Sequence, residues 1–193
     1  MLIGITGGIG SGKSTIAKQL RHMGYDVYDT DKEAKRIITE DLDVRHKIEA
    51  LLGEEAYKDG VYQTAFVAQK VFANKGLLAE LNALVHPALR EDILSHYSLV
   101  SKDINNRMPV FVECAILYQA GIDQLCDKVI AITAPEHIRL QRTIARDHSD
   151  IGKIKARMRA QTVEDDIQRA DITIENDGKK TILTLCQEIL KSL

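Results

Sequence analysis

Residues 4 to 15, Gly-Ile-Thr-Gly-Gly-Ile-Gly-Ser-Gly-Lys-Ser-Thr, constrain this chain more than any other stretch. Gly7, Gly12, Lys13 and Ser14 fit G-x-x-x-x-G-K-[ST], the spacing of a phosphate-binding P-loop. Glycines let the backbone turn tightly, so that successive N–H groups point inward at phosphate oxygens. Lys13 then sets a positive charge against the β- and γ-phosphates, and the Ser14 hydroxyl is placed to ligate Mg²⁺. Gly8, Gly10, Ser11, Gly12 and Thr15 complete the expected ATP contacts. A helix beginning near Lys13 adds the positive end of its dipole to the same anion. The setting agrees. Leu2 to Ile5 reads as a short buried strand, and Ile16, Ala17, Leu20 and Met23 as the inner face of a helix stopped by Gly24.

Composition narrows the classes around that loop. With 193 residues, 45% hydrophobic and 28% charged, the chain suits one compact domain with sub-lobes. A net charge of −2 gives no general attraction to nucleic acid or anionic membrane, so neither is an expected partner. The apolar runs are too short to cross a bilayer, and Met1 to Ile5 lacks the basic start and extended apolar core of a secretion signal. Cys114, Cys126 and Cys186 are widely spaced and read as buried thiols of a reducing compartment, not as a zinc site. The expectation is a cytoplasmic protein, monomeric or a weak homo-oligomer.

Taken in order, Gly24 to Tyr28 reads as a second strand ending in Asp29-Thr30-Asp31. Thr30 and Glu33 make a capping box for a helix from Asp31 to Thr39. That box does not require two flanking aspartates, so Asp29 and Asp31 are candidates for a carboxylate that accepts a substrate hydroxyl proton. Spacing alone does not rank them. Residues 42 to 100 read as helical, with a turn at Lys58-Asp59-Gly60 and a break at His86-Pro87, where Pro87 opens a new helix at its first position. His86 is a candidate substrate contact, although a lone histidine is more often structural.

Pro109 to Glu113 is a third strand, with Glu113 at its end as a second candidate for holding Mg²⁺ beside Ser14. Val129 to Thr133 is a fourth, and Ile172 to Ile174 a fifth. Between these two, Arg139, Arg142 and Arg146 share one helix face, away from Ile138 and Ile144. A solvated basic face is the ordinary reading of such a run. Its place after a strand that ends toward the nucleotide favours Arg142 and Arg146 as arginines that bridge the transferring phosphoryl group. Lys153, Lys155, Arg157 and Arg159 follow, and residues 136 to 169 read as a mobile lid. Asn176 and Gly178 form a turn where a purine can lie, and Thr181 to Leu193 is a closing amphipathic helix. The expected division is a nucleotide-binding core (1–30, 101–135, 170–193), a helical substrate-binding lobe (31–100) and the lid.

Taken together, these motifs resemble the dephospho-CoA kinase family over nearly the whole chain. Thr6 to Thr15 is close to the family's form of the P-loop, and Val27-Tyr-Asp-Thr-Asp31 is similar to its Val-Ile-Asp-Ala-Asp element. Val71-Phe72, Leu81-Asn82, His86-Pro87, Gln141 to Asp147, Arg159-Ala-Gln161 and Ala170 to Gly178 resemble later elements in the same order. The resemblance implies an α/β P-loop NTPase fold in three layers, with a five-stranded parallel sheet, a helical CoA-binding insertion and a helical lid. It implies phosphoryl transfer from MgATP to the ribose 3′-hydroxyl of dephospho-CoA. It also ranks the acids, because Asp31 matches the family's general base, and it sets Asn176 and Gly178 beside adenine. Two departures stand out. The family's Asp-x-Pro-Leu-Leu-Phe-Glu is here Glu113-Cys-Ala-Ile-Leu-Tyr-Gln119, and Thr64 stands where the family has arginine after Gln63.

The nearest rival on the same scaffold is a nucleoside monophosphate kinase. A GTPase-like switch is a poorer reading, since Asn74-Lys75 is followed by Gly76-Leu77 instead of completing N-K-x-D, and no D-x-x-G is present.

Overall fold

The computed structural model describes residues 1–102, 108–147, 150–159, 161 and 163–193, the side chains of 72, 75 and 163 excepted. Ala160 in the Arg159-Ala-Gln161 element and the Phe72 side chain thus lie outside the described residues. Two compact units are formed: Met1–Tyr28 with Leu99–Leu193, and Asp29–Ser98.

The first unit is built on a five-stranded parallel sheet. Its strands are β1 (Leu2–Thr6), β2 (Val27–Asp29), β5 (Val110–Glu113), β6 (Lys128–Thr133) and β7 (Ile172–Glu175), in the order β2-β5-β1-β6-β7. β1 and β5 are buried along their whole lengths, which explains their unbroken apolar runs: a parallel sheet is covered on both faces. Ile3 and Ile5 face α1 (Lys13–His22) and α9 (Ile182–Ser192), where Ile16, Leu20, Leu185, Cys186 and Ile189 complete the core. On the other face the chain must come close to β1. A methyl group on Gly4 would meet Leu117 Cδ1 at 2.7 Å and Cys126 Sγ at 3.1 Å. Side chains tie strand ends together: Asp127 accepts from Leu2 N at 2.7 Å, and Asp171 from Val129 N at 2.7 Å. The strand starting at Gly24 is shorter than expected. Gly24 is left-handed (φ 90°), and the chain enters the sheet only at Val27.

The second unit contains α2 (Thr30–Glu40), α3 (Leu42–Leu52), a hairpin of β3 (Tyr57–Lys58) and β4 (Val61–Tyr62), α4 (Thr64–Ala73) and most of α5 (Lys75–Ser101). Three local expectations need correction here. Thr30 is not the cap of α2. It is the first helical residue and is buried, while the Asp29 carboxylate accepts from Lys32 N at 3.1 Å. An aspartate both satisfies the N–H group and complements the helix dipole. The expected turn at Lys58-Asp59-Gly60 is present, but it joins two short strands in a stretch that reads from the sequence as helical with little strand character. A tilted Tyr57–Tyr62 ring pair at 5.3 Å, with Arg45 over Tyr57 at 4.9 Å, supports that hairpin.

The third correction concerns Pro87, which does not break the helix: α5 runs through it. Leu81, Val85, Leu89 and Ile93 recur every four residues and are all buried. Burial of such a stripe, at about 1.5–3 kcal/mol per side chain, exceeds the roughly 3 kcal/mol that an interior proline costs. Pro87 itself is exposed. Pro87→Ala should therefore restore a hydrogen bond to the Ala83 carbonyl and raise stability by about 1–3 kcal/mol. Chemical denaturation checks this, and a lower midpoint would show that the proline ring does packing work that outweighs the bond.

Candidate active site

β1 ends at Thr6, the centre of the sheet, and the chain turns at once into the glycine loop before α1. The Gly8 carbonyl accepts from Ser11 N at 3.1 Å, closing a turn at the loop's tip. Gly12, the residue before the helix, has φ 97°, and a methyl group there would run into Asn176 Nδ2. Both facts require glycine at this position. α1 then presents its first N–H groups and the side chains of Lys13, Ser14 and Thr15 to a cavity of about 380 Å³. Gly10, Gly12, Arg142, Thr143, Arg146, Asn176 and Ile182 line the rest.

Parallel pairing brings the walls of this cavity together. Ile5 in β1 pairs with Glu113 in β5, so the glutamate stands at the strand end next to the loop. Its Oε1 accepts the Ser14 hydroxyl at 2.6 Å, and the residue is buried. A hydroxyl and a carboxylate are hard oxygen donors of the kind Mg²⁺ takes together with waters and phosphate oxygens. Ser14 and Glu113 therefore fit the ion. Among the described residues no cluster of three or more His, Cys, Asp or Glu side chains forms, and an ion bound with ATP does not need one.

On the other side, Thr133 in β6 pairs with Glu175 in β7, and Asn176 N donates to Thr133 O at 2.8 Å. This fixes Asn176 at a strand end with its carboxamide toward the loop. Nδ2 donates to Ser11 O at 2.8 Å. Arg142, from α6 (Glu136–Asp147), donates to Asn176 O at 3.0 Å, to Asn176 Oδ1 at 3.3 Å and to Ser11 O at 3.4 Å. Arg142 is thus committed to the loop and to Asn176. Arg146, one turn further on, lines the same cavity but is mostly exposed and ion-paired with Asp147 at 2.6 Å. Asp147 is shared with Arg157 at 3.0 Å, and its carboxyl is held down to about 2, first by the Arg146 hydrogen bond. That bond also raises the Arg146 pKa.

The structure thus gathers Gly10, Gly12, Lys13, Ser14, Thr15, Arg142, Arg146 and Asn176 around one cavity, with Glu113 bonded to Ser14. Gly8 and Ser11 shape the loop by their turn, and a methyl group on Gly178 would stand 3.9 Å from Arg142 Nη2. Asp29, Asp31 and His86 belong to the other unit. Asp29 caps α2, and Asp31 occupies its first turn. His86 lies mid-way along α5, half-buried, its pKa pushed below the ordinary value by burial and then by Arg90.

Sequence reading missed three participants. Thr143 is buried, a methyl group on Gly10 would meet its hydroxyl at 2.7 Å, and that hydroxyl donates to Arg139 O at 2.7 Å. Ile182 lines the cavity, although its spacing reads only as core. Gln161 accepts from Ile9 N at 2.8 Å across 152 residues of sequence, a contact that no local pattern encodes.

A family model described as dephospho-CoA kinase matches residues 1–181. A dephospho-CoA kinase from Porphyromonas gingivalis is 36% identical over 176 residues, covering 90% of this chain and 85% of the relative. Among solved structures, TT1252 from Thermus thermophilus has a TM-score of 0.80 at 32% identity, covering 100% of this chain and 95% of that one. The dephospho-CoA kinase from Campylobacter jejuni has a TM-score of 0.73 at 26% identity, covering 99% and 96%.

Proposed function

The chain belongs to the dephospho-CoA kinase family, and from that premise we propose how its residues divide the work of an ATP-dependent kinase acting on a hydroxyl group. The reaction transfers the ATP γ-phosphoryl group to the ribose 3′-hydroxyl of dephospho-CoA, giving CoA and ADP. One observation carries the donor half: a glycine loop, a helix N-terminus, Lys13, Ser14 and two arginines line the same cavity.

Lys13 and the N–H groups at the start of α1 hold the β- and γ-phosphates. Ser14 and Glu113 would hold Mg²⁺, which would supply charge neutralisation on the ATP phosphates. Glu113 takes the place of the family's shorter aspartate, and its 2.6 Å bond to Ser14 supports the same duty for the longer side chain. Arg146 serves the transferring group, since its mostly exposed guanidinium already borders the cavity. Arg142 acts one step back, shaping the loop through Ser11 and the adenine side through Asn176.

Asp31 accepts or orients the proton of the acceptor hydroxyl. The Asp29 cap supports this role by fixing the first turn of α2, which carries Asp31. His86 contacts the acceptor as a neutral imidazole, consistent with its lowered pKa. Within residues 136–169 the described ones (136–147, 150–159, 161 and 163–169) close as a lid and exclude water. We place the enzyme in the cytoplasm as a monomer or weak homo-oligomer; none of its described helices is long and apolar enough to cross a membrane.

Two measurements test this reading. ADP release from MgATP should be robust with dephospho-CoA and at background with CMP, UMP, AMP and adenosine. Turnover of a monophosphate with none for dephospho-CoA would refute the assignment. Asp31→Asn should leave ATP binding within about twofold and lower kcat by 10² or more, the usual range for losing a general base. A kcat within a few-fold of wild type would reduce Asp31 to a helix-start residue.

A further inference from the structure

The tip of the glycine loop is held from two sides. Ser11 O is held by Asn176 and Arg142, a methyl group on Gly12 would run into Asn176, and one on Gly10 would collide with the Arg139 carbonyl. All of these partners come from α6 or the end of β7. Ile9 is different: its N–H donates to Gln161 Oε1 at 2.8 Å. Gln161 lies beyond α7 (Ile151–Arg159), in the stretch before α8 (Val163–Arg169). Gln161 N donates to Met158 O at 3.4 Å, and Met158 and Ile154 bury α7 against its surroundings. The carboxamide therefore hangs from an anchored helix end.

Its acceptor meets a particular peptide group. The plane between Gly8 and Ile9 offers its carbonyl to Ser11 N at 3.1 Å and its N–H to Gln161. Bonds at both ends oppose rotation of that plane, in a loop whose glycines otherwise permit it. Gln161 and Ile9 are neither adjacent in sequence nor part of one element, so the bond spends the rotamer freedom of a long side chain on a single loop N–H. The acceptor is also neutral. A carboxylate at this place would satisfy the N–H equally well but would add a negative charge next to a site built for a polyphosphate.

We propose that Gln161 is a positioning residue for ATP: by holding the Gly8–Ile9 peptide it keeps the loop in its phosphate-accepting form before the nucleotide arrives. The inference rests on the reading of residues 7–14 as the ATP cradle. Without the bond, the loop samples other peptide orientations, and ATP must select the competent one, so its apparent affinity falls by the competent fraction. Once ATP is bound, the phosphates themselves fix the loop, and the chemical step proceeds as before. The signature is a change in ATP affinity without a matching change in kcat.

The test compares wild type, Gln161→Met and Gln161→Glu by calorimetric titration with a non-hydrolysable ATP analogue and by steady-state kinetics with dephospho-CoA. Gln161→Met keeps the side-chain length and removes the acceptor. It should weaken ATP binding and raise the KM for ATP about three- to tenfold, the worth of one net hydrogen bond, with kcat at saturating ATP within twofold. The KM for dephospho-CoA should not move. Gln161→Glu keeps an acceptor oxygen but adds charge, so its deficit should shrink as salt rises from about 0.05 to 0.5 M, whereas that of Gln161→Met should persist. Unchanged ATP affinity in Gln161→Met, or a fall in kcat at unchanged affinity, overturns the proposal. If Gln161→Met does not fold, a deficit in Gln161→Glu that ignores salt overturns it instead. Wild-type protein that fails to bind the analogue would refute the cradle itself, a separate outcome.

Discussion

The glycine loop depends on one carbonyl. Ser11 O lies in the middle of the glycine loop and accepts both from Asn176 Nδ2 at 2.8 Å and from Arg142 at 3.4 Å. A loop with glycines at positions 7, 8, 10 and 12 has little intrinsic preference for one conformation, so its shape must be imposed from outside. The end of β7 and the helix α6 supply that imposition. β7 delivers Asn176 to the edge of the loop, and α6 delivers Arg142 to the same oxygen. Turning a carbonyl outward in this way leaves inward positions to the N–H groups, which is what an anion needs.

From that constraint the rest of the first unit follows. β1 must be central, so that loop and α1 are flanked by β5 with Glu113 on one side and by β6 and β7 with Asn176 on the other. The sheet must be buried on both faces to hold these strand ends at fixed spacing, and Ile3, Ile5, Phe111, Ile130 and Ile132 are fully buried. Residues far apart in the chain thereby become neighbours within hydrogen-bonding distance: Ser14 and Glu113 at 2.6 Å, Ser11 and Asn176 at 2.8 Å.

Much of this was legible in the sequence because the strands are continuous apolar runs and the loop has a defined spacing. The five strands, the strand-end position of Glu113 and the arginine face of α6 all follow from such patterns. What was not legible is competition between local rules and packing. Pro87 looks like a helix start, yet the buried stripe from Leu81 to Ile93 carries α5 through it. Thr30 and Glu33 spell a capping box, yet Asp29 wins the cap because the helix starts one residue earlier. Side-chain partnerships were the least visible part. Arg142 lines the cavity, and its three hydrogen bonds go to Asn176 and Ser11, partners that no local pattern names. Only the fold reveals which acceptors lie within its reach.

The most direct test of the claim that Arg142 and Asn176 act together through Ser11 is a double-mutant cycle on ATP binding. If both work through one loop conformation, Arg142→Ala and Asn176→Ala should each weaken ATP binding by about tenfold, and the double variant by little more than either. If instead each touches the nucleotide independently, the losses multiply, and the double variant weakens binding by about a hundredfold. That additive result would contradict the account.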